Sequence, residues 1–437
     1  MAQILIDRPD YINKLCSWQT QTDLVKIVTG ARRCGKSKLF ALFQQKLLLE
    51  KMAGADQIIS INLEDPIQSR EIGLVWTKQR LVGYNTLLDF VLAKLNPHKM
   101  NYVFIDEIQL LEDWQPAANG LRLRENVDLY LTGSNAYMFS GDLANFFGGR
   151  YVEIKMQPFS FKEYYEASSK KRMFKSRAQE DMLYGDSLAK VYDSYIRESG
   201  FPQTTEFWGD RQMINDYLMD TVYLNTIQKD IVNRFNISDS SKLDAVVRYL
   251  FDNIGKETSM RSIERGLKMA AIPTISNYIE GLCDSYLLYR CDRFDIKGKQ
   301  LLETNPKYYV VDIGLKNALL GHEDADMGYN LENIVYLELL RRGYSVAVGK
   351  VKTRTINGER KDIEVDFVAQ KCGEREYYQV ALYALEPETL RRELASLEEI
   401  DDNYPKFLLS MDHGTGENNG IKRLNVLEWL MGIHPIK

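Results

Sequence analysis

Short runs of apolar and β-branched residues alternate with stretches of helical period through the first third of the chain. Leu24 to Thr29 is apolar or β-branched except at Lys26, as a strand buried on both faces should be. Leu39, Leu42, Phe43 and Leu47 then recur at helical spacing within Lys38–Lys51. Gln57–Leu63 predicts a second strand, and Tyr84–Leu95 a helix with Leu87, Leu88, Val91 and Leu95 on one face. Strands follow at Asn101–Ile105, Asp128–Thr132 and Tyr151–Ile154. Strands alternating with helices in this way predict an α/β fold with a parallel sheet.

The pattern changes after about residue 188. Helices are expected to about Asn233, interrupted at Gly200-Phe201-Pro202, and again over Leu243–Asn253. A short helix at Ser262, a turn before Pro273 and a helix from Thr274 to Leu288 follow, the last placing Ile275, Ile279 and Leu282 inward. Leu287–Arg293 and Tyr308–Val311 resemble the two strands of a wing with Lys297-Gly298-Lys299 at its tip, which makes a winged-helix pattern. Beyond it, Leu331–Leu340 is an amphipathic helix, Glu364–Ala369 and Glu376–Ala381 are strands, and Glu388–Glu399 is an acidic helix. The expected division is 1–166, the α/β domain with the parallel sheet; 167–187, a basic linker holding Lys170, Lys171, Arg172, Lys175 and Arg177; 188–322, a helical and winged-helix domain; and 323–437, a small α/β domain.

The strand–helix junction at Gly30-Ala31-Arg32-Arg33-Cys34-Gly35-Lys36-Ser37 fits the phosphate-loop pattern G-x-x-x-x-G-K-[ST]. Glycines at both ends allow successive N–H groups to face phosphate oxygens, and the helix opening at Lys36 adds its own free N–H groups. Lys36 is expected on the β- and γ-phosphates, Ser37 on Mg²⁺, and Lys38 beside them, with ATP as the nucleotide. Asp106 and Glu107 end an apolar strand, where a carboxylate reaches the Mg²⁺ shell and its neighbour serves as general base for water. Ser134 and Asn135, at the tip of the next strand, are read as γ-phosphate sensors or as a plain turn. Arg150 is read either as a charge-stabilising arginine, in cis or from a neighbouring subunit, or as a surface ion-pair partner.

The segments Thr29–Ser37, Phe104-Ile105-Asp106-Glu107-Ile108-Gln109, Leu131–Asn135 and Gly149-Arg150 with Pro158–Tyr164 resemble the prokaryotic AAA-type ATPases of the archaeal-ATPase group, which carry a C-terminal domain of unknown function. The resemblance implies an additional-strand, catalytic-glutamate P-loop core in which the Walker A and Walker B strands are not neighbours. The last segment resembles the PD-(D/E)xK nuclease fold, with Glu332 at the helix position and Asp366 at the strand position. Gln379 and Ala381 stand where that fold has its Glu-x-Lys pair, so a metal carboxylate and an amine are missing and nuclease activity is not expected.

Composition narrows the setting. The 437 residues are 45% hydrophobic and 27% charged, the balance of a globular protein. No run is apolar for long enough to cross a bilayer, and the first residues do not read as a signal peptide. Five scattered cysteines without a C-x-x-C pair point to a reducing cytoplasm, and four distant histidines give no metal signal. A net charge of −5 argues against coating nucleic acid by charge alone but leaves room for a local basic face. Duplex DNA would then meet Arg261, Arg265, Lys268 and the wing; the alternatives are a winged helix used only for packing and a protein partner. An oligomer is compatible with all of these.

Overall fold

The computed structural model describes residues 6–78, 80–136, 146–175, 188–235, 237, 240–268, 271–321, 326–354 and 360–433. The chain divides into two compact units, one of residues 5–158 with 284–286, the other of 1–4, 159–283 and 287–437.

The first unit is built on a parallel sheet of β1 (Val25–Gly30), β2 (Ile58–Asn62), β5 (Asn101–Asp106), β6 (Val127–Gly133) and β7 (Tyr151–Met156), in the order β2-β5-β6-β1-β7. A separate two-stranded ribbon joins β3 (Val75–Thr77) to β4 (Arg80–Val82). β1, β5 and β6 are buried at every position, so their sequences read as unbroken apolar runs rather than alternations. The helices Lys36–Leu49, Tyr84–Lys94 and Gln115–Arg122 cover this sheet. β6 lies between β1 and β5, which separates the Walker A and Walker B strands as the resemblance implies. Parallel strands bring all their C-terminal ends to one edge, so Gly30, Asp106 and Gly133 emerge together. At the opposite edge Lys26 and Asp128, both fully buried, form an ion pair with the Tyr130 hydroxyl donating to the carboxylate. Lys26, the one charged residue of its strand, is thus buried with a partner.

The second unit holds one eight-stranded sheet of β8 (Leu288–Asp295), β9 (Gln300–Val310), β10 (Ser345–Arg354), β11 (Arg360–Lys371), β12 (Glu374–Ala381), β13 (Lys406–Ser410), β14 (Gly416–Asn418) and β15 (Ile421–Asn425). Its order is β14-β15-β13-β12-β11-β10-β8-β9. Helices Ser240–Asp252, Met260–Leu267 and Ile272–Asp284 are followed by β8 and β9, with residues 296–299 at the turn between the two strands. β8 pairs in parallel with β10 through Val348↔Arg293 and Lys350↔Asp295, so one hydrogen-bonded sheet runs across the expected boundary at 322/323. The expected linker at 167–187 is also corrected in part: Phe161–Lys175 is a helix, opened by Ser160 and Glu163 exchanging backbone and side-chain bonds as a capping box. The rest of that segment, 176–187, lies outside the described residues.

Candidate functional site

The loop from Gly30 to Gly35 turns between β1 and the helix Lys36–Leu49 at the edge where the parallel strands end. Gly30 has φ +149°, and a Cβ there would stand 2.0 Å from the Met156 carbonyl oxygen of β7. Gly35 has φ +107°. Those two positions are therefore closed to side chains by backbone contact and by angle. Ala31 and Cys34 are buried, Arg33 (φ +66°), Ser37 and Lys38 are exposed, and Arg32 is half-buried and 4.0 Å from Glu64. Arg8 fastens the loop from beneath: its guanidinium donates to the Cys34 carbonyl at 3.3 Å and to the Gln157 carbonyl at 2.9 Å. Sequence reasoning passed over Arg8, whose only local signal is its place before Pro9 at a helix start.

Lys36 is 4% exposed and donates to the carbonyls of Gly30 (3.0 Å) and Ala31 (3.2 Å), with Glu107 at 3.8 Å. Asp106 and Glu107 follow at the end of β5. Glu107 is left-handed (φ 54°, ψ 48°), which turns the chain sharply into a 3-10 turn over Ile108–Leu110. Thr132 of β6 accepts the Glu107 N–H at 2.9 Å and gives its own hydroxyl proton to Asp106, tying the two strands together at the acids. Gln109 Nε2 donates to the Glu107 carboxylate and to Ser134 Oγ at 3.1 Å. Ser134 and Asn135 are buried at the tip of β6, beside these groups.

The two acids are pushed in opposite directions. Burial and the neighbouring Glu107 raise the Asp106 carboxyl, against the hydrogen bonds from Ser37 and Thr132 and the charge of Lys36. Burial pushes Glu107 up as well, but Lys36 and Arg32, together with the donors Gln109 and Ser134, outweigh it and hold the group below its ordinary value. Glu107 is thus kept ionised, the form a general base requires. Ser37 and Asp106 present a hydroxyl and a carboxylate to each other, an oxygen pair of the kind hard divalent cations take.

Arg150 is not part of this constellation. It precedes β7, whose Tyr151 pairs with Val25 while Met156 pairs with Gly30. Six residues at about 3.3 Å each put it roughly 20 Å from the loop, at the other edge of the sheet. There it pairs with Asp23 at 3.3 Å, as Arg122 does at 2.5 Å. Of the alternatives open for it, the surface ion pair is the one seen, and distance along the strand speaks against a role in cis. Gln109 and Thr132 were missed instead; both lie within segments already quoted for Walker B and the sensor strand, and only the fold of the 3-10 turn shows that they touch the acids.

In the second unit Glu332 and Asp366 do converge, with Glu364 nearby. Ala381 supplies no amine, but Lys307 of β9 does: it donates to Glu332 at 2.9 Å and to Glu364 at 2.8 Å. Gln379 is turned to other partners, accepting the Asp366 N–H at 3.3 Å and donating to Glu393 at 3.1 Å. Among the described residues no cluster of His, Cys, Asp or Glu is arranged to hold a metal ion. No described helix is long and apolar enough to cross a membrane.

A family model described as an AAA domain matches residues 22–165, and one described as a domain of unknown function matches 189–326. The chain is similar to an uncharacterized protein of Haemophilus influenzae, 34% identical over 99% of this chain and 100% of that one. It is also similar to an uncharacterized protein of Methanocaldococcus jannaschii, 28% identical over 92% of this chain and 84% of that one. Among solved structures, the Aeropyrum pernix Orc1 protein in complex with DNA aligns over 72% of this chain and 93% of its own at 13% identity and a TM-score of 0.35. Likeness at that score carries no functional weight. The phosphate loop, the acids at the end of β5 and the intervening β6 are those of an AAA-type P-loop core, and the chain belongs to one family with the Haemophilus influenzae protein.

Proposed function

We propose that the protein binds ATP with Mg²⁺ at the Gly30–Ser37 loop, hydrolyses it, and uses the nucleotide state to switch its winged-helix and C-terminal α/β region. The observation that supports this most is the bonded set Lys36, Asp106, Glu107, Thr132, Gln109 and Ser134 at one sheet edge. Each member has a task in phosphoryl transfer to water. Loop N–H groups and Lys36 carry phosphate charge, and Ser37 with Asp106 would hold the Mg²⁺ that neutralises it. Glu107 takes a proton from water as the water oxygen bonds to the γ-phosphorus. The bond from that phosphorus to the bridging oxygen breaks, and ADP leaves with its electron pair. On binding ATP, Lys36 would exchange the Gly30 and Ala31 carbonyls for phosphate oxygens.

Binding of a fluorescent ATP analogue and phosphate release test the reading together. Lys36→Ala should lose binding, while Glu107→Gln should keep binding and lose turnover by about 10²–10⁴-fold. A Lys36→Ala protein that binds and hydrolyses ATP like the wild type would sink it.

A second reading, an ATP-gated duplex-DNA contact, is favoured by one observation. Arg261, Arg265, Lys268, Lys297 and Lys299 are all exposed on the helix–turn–helix and the wing turn. The helix Ile272–Asp284 shows Ser276, Asn277 and Glu280 to solvent and no cation, so the phosphate contacts would fall to the cations outside it. Charge reversal at Arg261 and Lys268 should then weaken duplex binding and flatten its salt dependence. No duplex binding at low salt, with or without ATP, removes this reading.

A further inference from the structure

Gln109 sits in the 3-10 turn that Glu107 forces, and only 8% of it is exposed. Its two polar atoms are used unequally. Nε2 is shared between the Glu107 carboxylate and the Ser134 hydroxyl oxygen. Oε1 is buried and has no hydrogen-bond partner among the described residues. A buried amide oxygen left unpaired is costly, and native proteins leave few of them without a function or a water to serve. Two features place this one in the chemistry rather than in the packing. The amide touches the base itself, and it touches the residue at the tip of β6, between the Walker B acids and the loop.

We propose that Gln109 positions the attacking water, and that it links the β6 tip to the base. The inference rests on the ATP-hydrolysis reading above. Oε1 accepts one hydrogen of the water, Glu107 receives the other as a proton, and the lone pair left on the water oxygen faces the γ-phosphorus. Gln109 stays neutral and exchanges no proton. Through Nε2, any movement of Ser134 when a γ-phosphate arrives is passed to the Glu107 carboxylate, so the base is aimed only when ATP rather than ADP is bound. A glutamine is suited to this because one side of its amide donates and the other accepts, with a fixed separation. A glutamate or a leucine at 109 has no donor to hold the base.

The test compares wild-type protein with Gln109→Met, which keeps length and volume, and with Gln109→Glu. Two readouts are taken on each: kcat and KM for ATP, and the affinity ratio for fluorescent ATPγS against fluorescent ADP. Gln109→Met should lower kcat by about a hundredfold or more with KM changed less than about threefold, the range for losing one aimed polar group. The preference for ATPγS over ADP should fall toward unity. Gln109→Glu should be at least as impaired. Turnover of Gln109→Met within about twofold of wild type overturns the inference. So does a loss of nucleotide affinity as deep as that of Lys36→Ala, which would mark Gln109 as a scaffold for the loop. A wild-type protein that binds no nucleotide overturns this inference and the ATPase reading together, whereas active wild type with an undiminished Gln109→Met overturns this inference alone.

Discussion

Replacing Lys307 by methionine removes the one ammonium in a buried group of carboxylates. Lys307 is 4% exposed and holds Glu332 at 2.9 Å and Glu364 at 2.8 Å. Glu364 keeps a second cation, Arg293, at 2.8 Å, and is itself half-open to water. Glu332 does not: it is 6% exposed and is left with the Tyr309 hydroxyl at 2.6 Å, facing Asp366. Breaking a buried pair from one side strands the other charge, at a cost of about 3–5 kcal/mol. At a urea slope of about 3 kcal/mol per molar this is a shift of roughly 1–2 M in the midpoint. The assay is urea unfolding followed by tryptophan fluorescence, with the transition of the second unit tracked through Trp429, fully buried there. Because two units are present, the transitions are fitted separately. The double variant Lys307→Met/Glu332→Gln supplies the control, since neutralising the stranded acid should restore at least half of the loss. A Lys307→Met midpoint within about 0.3 M of wild type, or a double variant no better than the single, refutes the reasoning. Burial acts to lower the Lys307 ammonium, but Glu332, Asp366 and Glu364 raise it above its ordinary value. A raised lysine keeps its full contribution below the unfolded value near pH 10 and loses it as pH rises through the folded one.

Burial, with Glu332 behind it, raises Asp366 well above the carboxylate range; its contribution is complete below the unfolded value near 4 and is lost as pH rises through the folded one. Asp366→Asn should therefore reduce the loss of stability on raising the pH, read from urea midpoints across that range; an unchanged pH profile counts against it. Gly30→Ala would push a Cβ to 2.0 Å from the Met156 carbonyl, so the end of β7 has to move. Nucleotide affinity should drop by about tenfold or more, and overpacking should cost about 1–3 kcal/mol in thermal unfolding; wild-type affinity refutes the claim. Arg150→Ala removes an exposed ion pair with Asp23 far from the loop, so stability should change by at most about 1 kcal/mol. ATP turnover at high dilution should be unaltered, and a loss that appears only as protein concentration rises would assign Arg150 to a neighbour's site.

The strands and helices of the first unit, the loop and the two acids were legible in the sequence because each depends on local chemistry, whereas the separation of the Walker A and Walker B strands was implied only by the family resemblance. Leu24–Thr29 had to be a buried strand, Gly30 and Gly35 had to turn, and Lys36 had to open a helix. The same local reading of Tyr151–Ile154 found the strand but not where its start would lie. For Arg150 the sequence leaves open a charge-stabilising role or a surface ion pair. The structure shows the ion pair with Asp23, because pairing with β1 puts the start of β7 at the edge away from the loop, and pairing register is a property of two segments, not one. Residues 167–175 read as part of a linker because that basic, aperiodic stretch shows no amphipathic face, whereas the capping box of its helix lies upstream at Ser160 and Glu163.

What the sequence by itself determined is therefore the phosphate-loop core and the residue types its chemistry requires. The tertiary structure decided which polar side chains meet. Gln109 and Thr132 reach the acids only because β6 lies between β1 and β5 and Glu107 takes a left-handed turn. Lys307 of β9 reaches Glu364 of β11 only because β8 and β9 join the sheet of β10 and β11. Hydrophobic period fixes an element and its buried face, since it is written within one turn or one pleat. The contacts among buried charges are set by register and crossover between distant segments, and no local pattern encodes those.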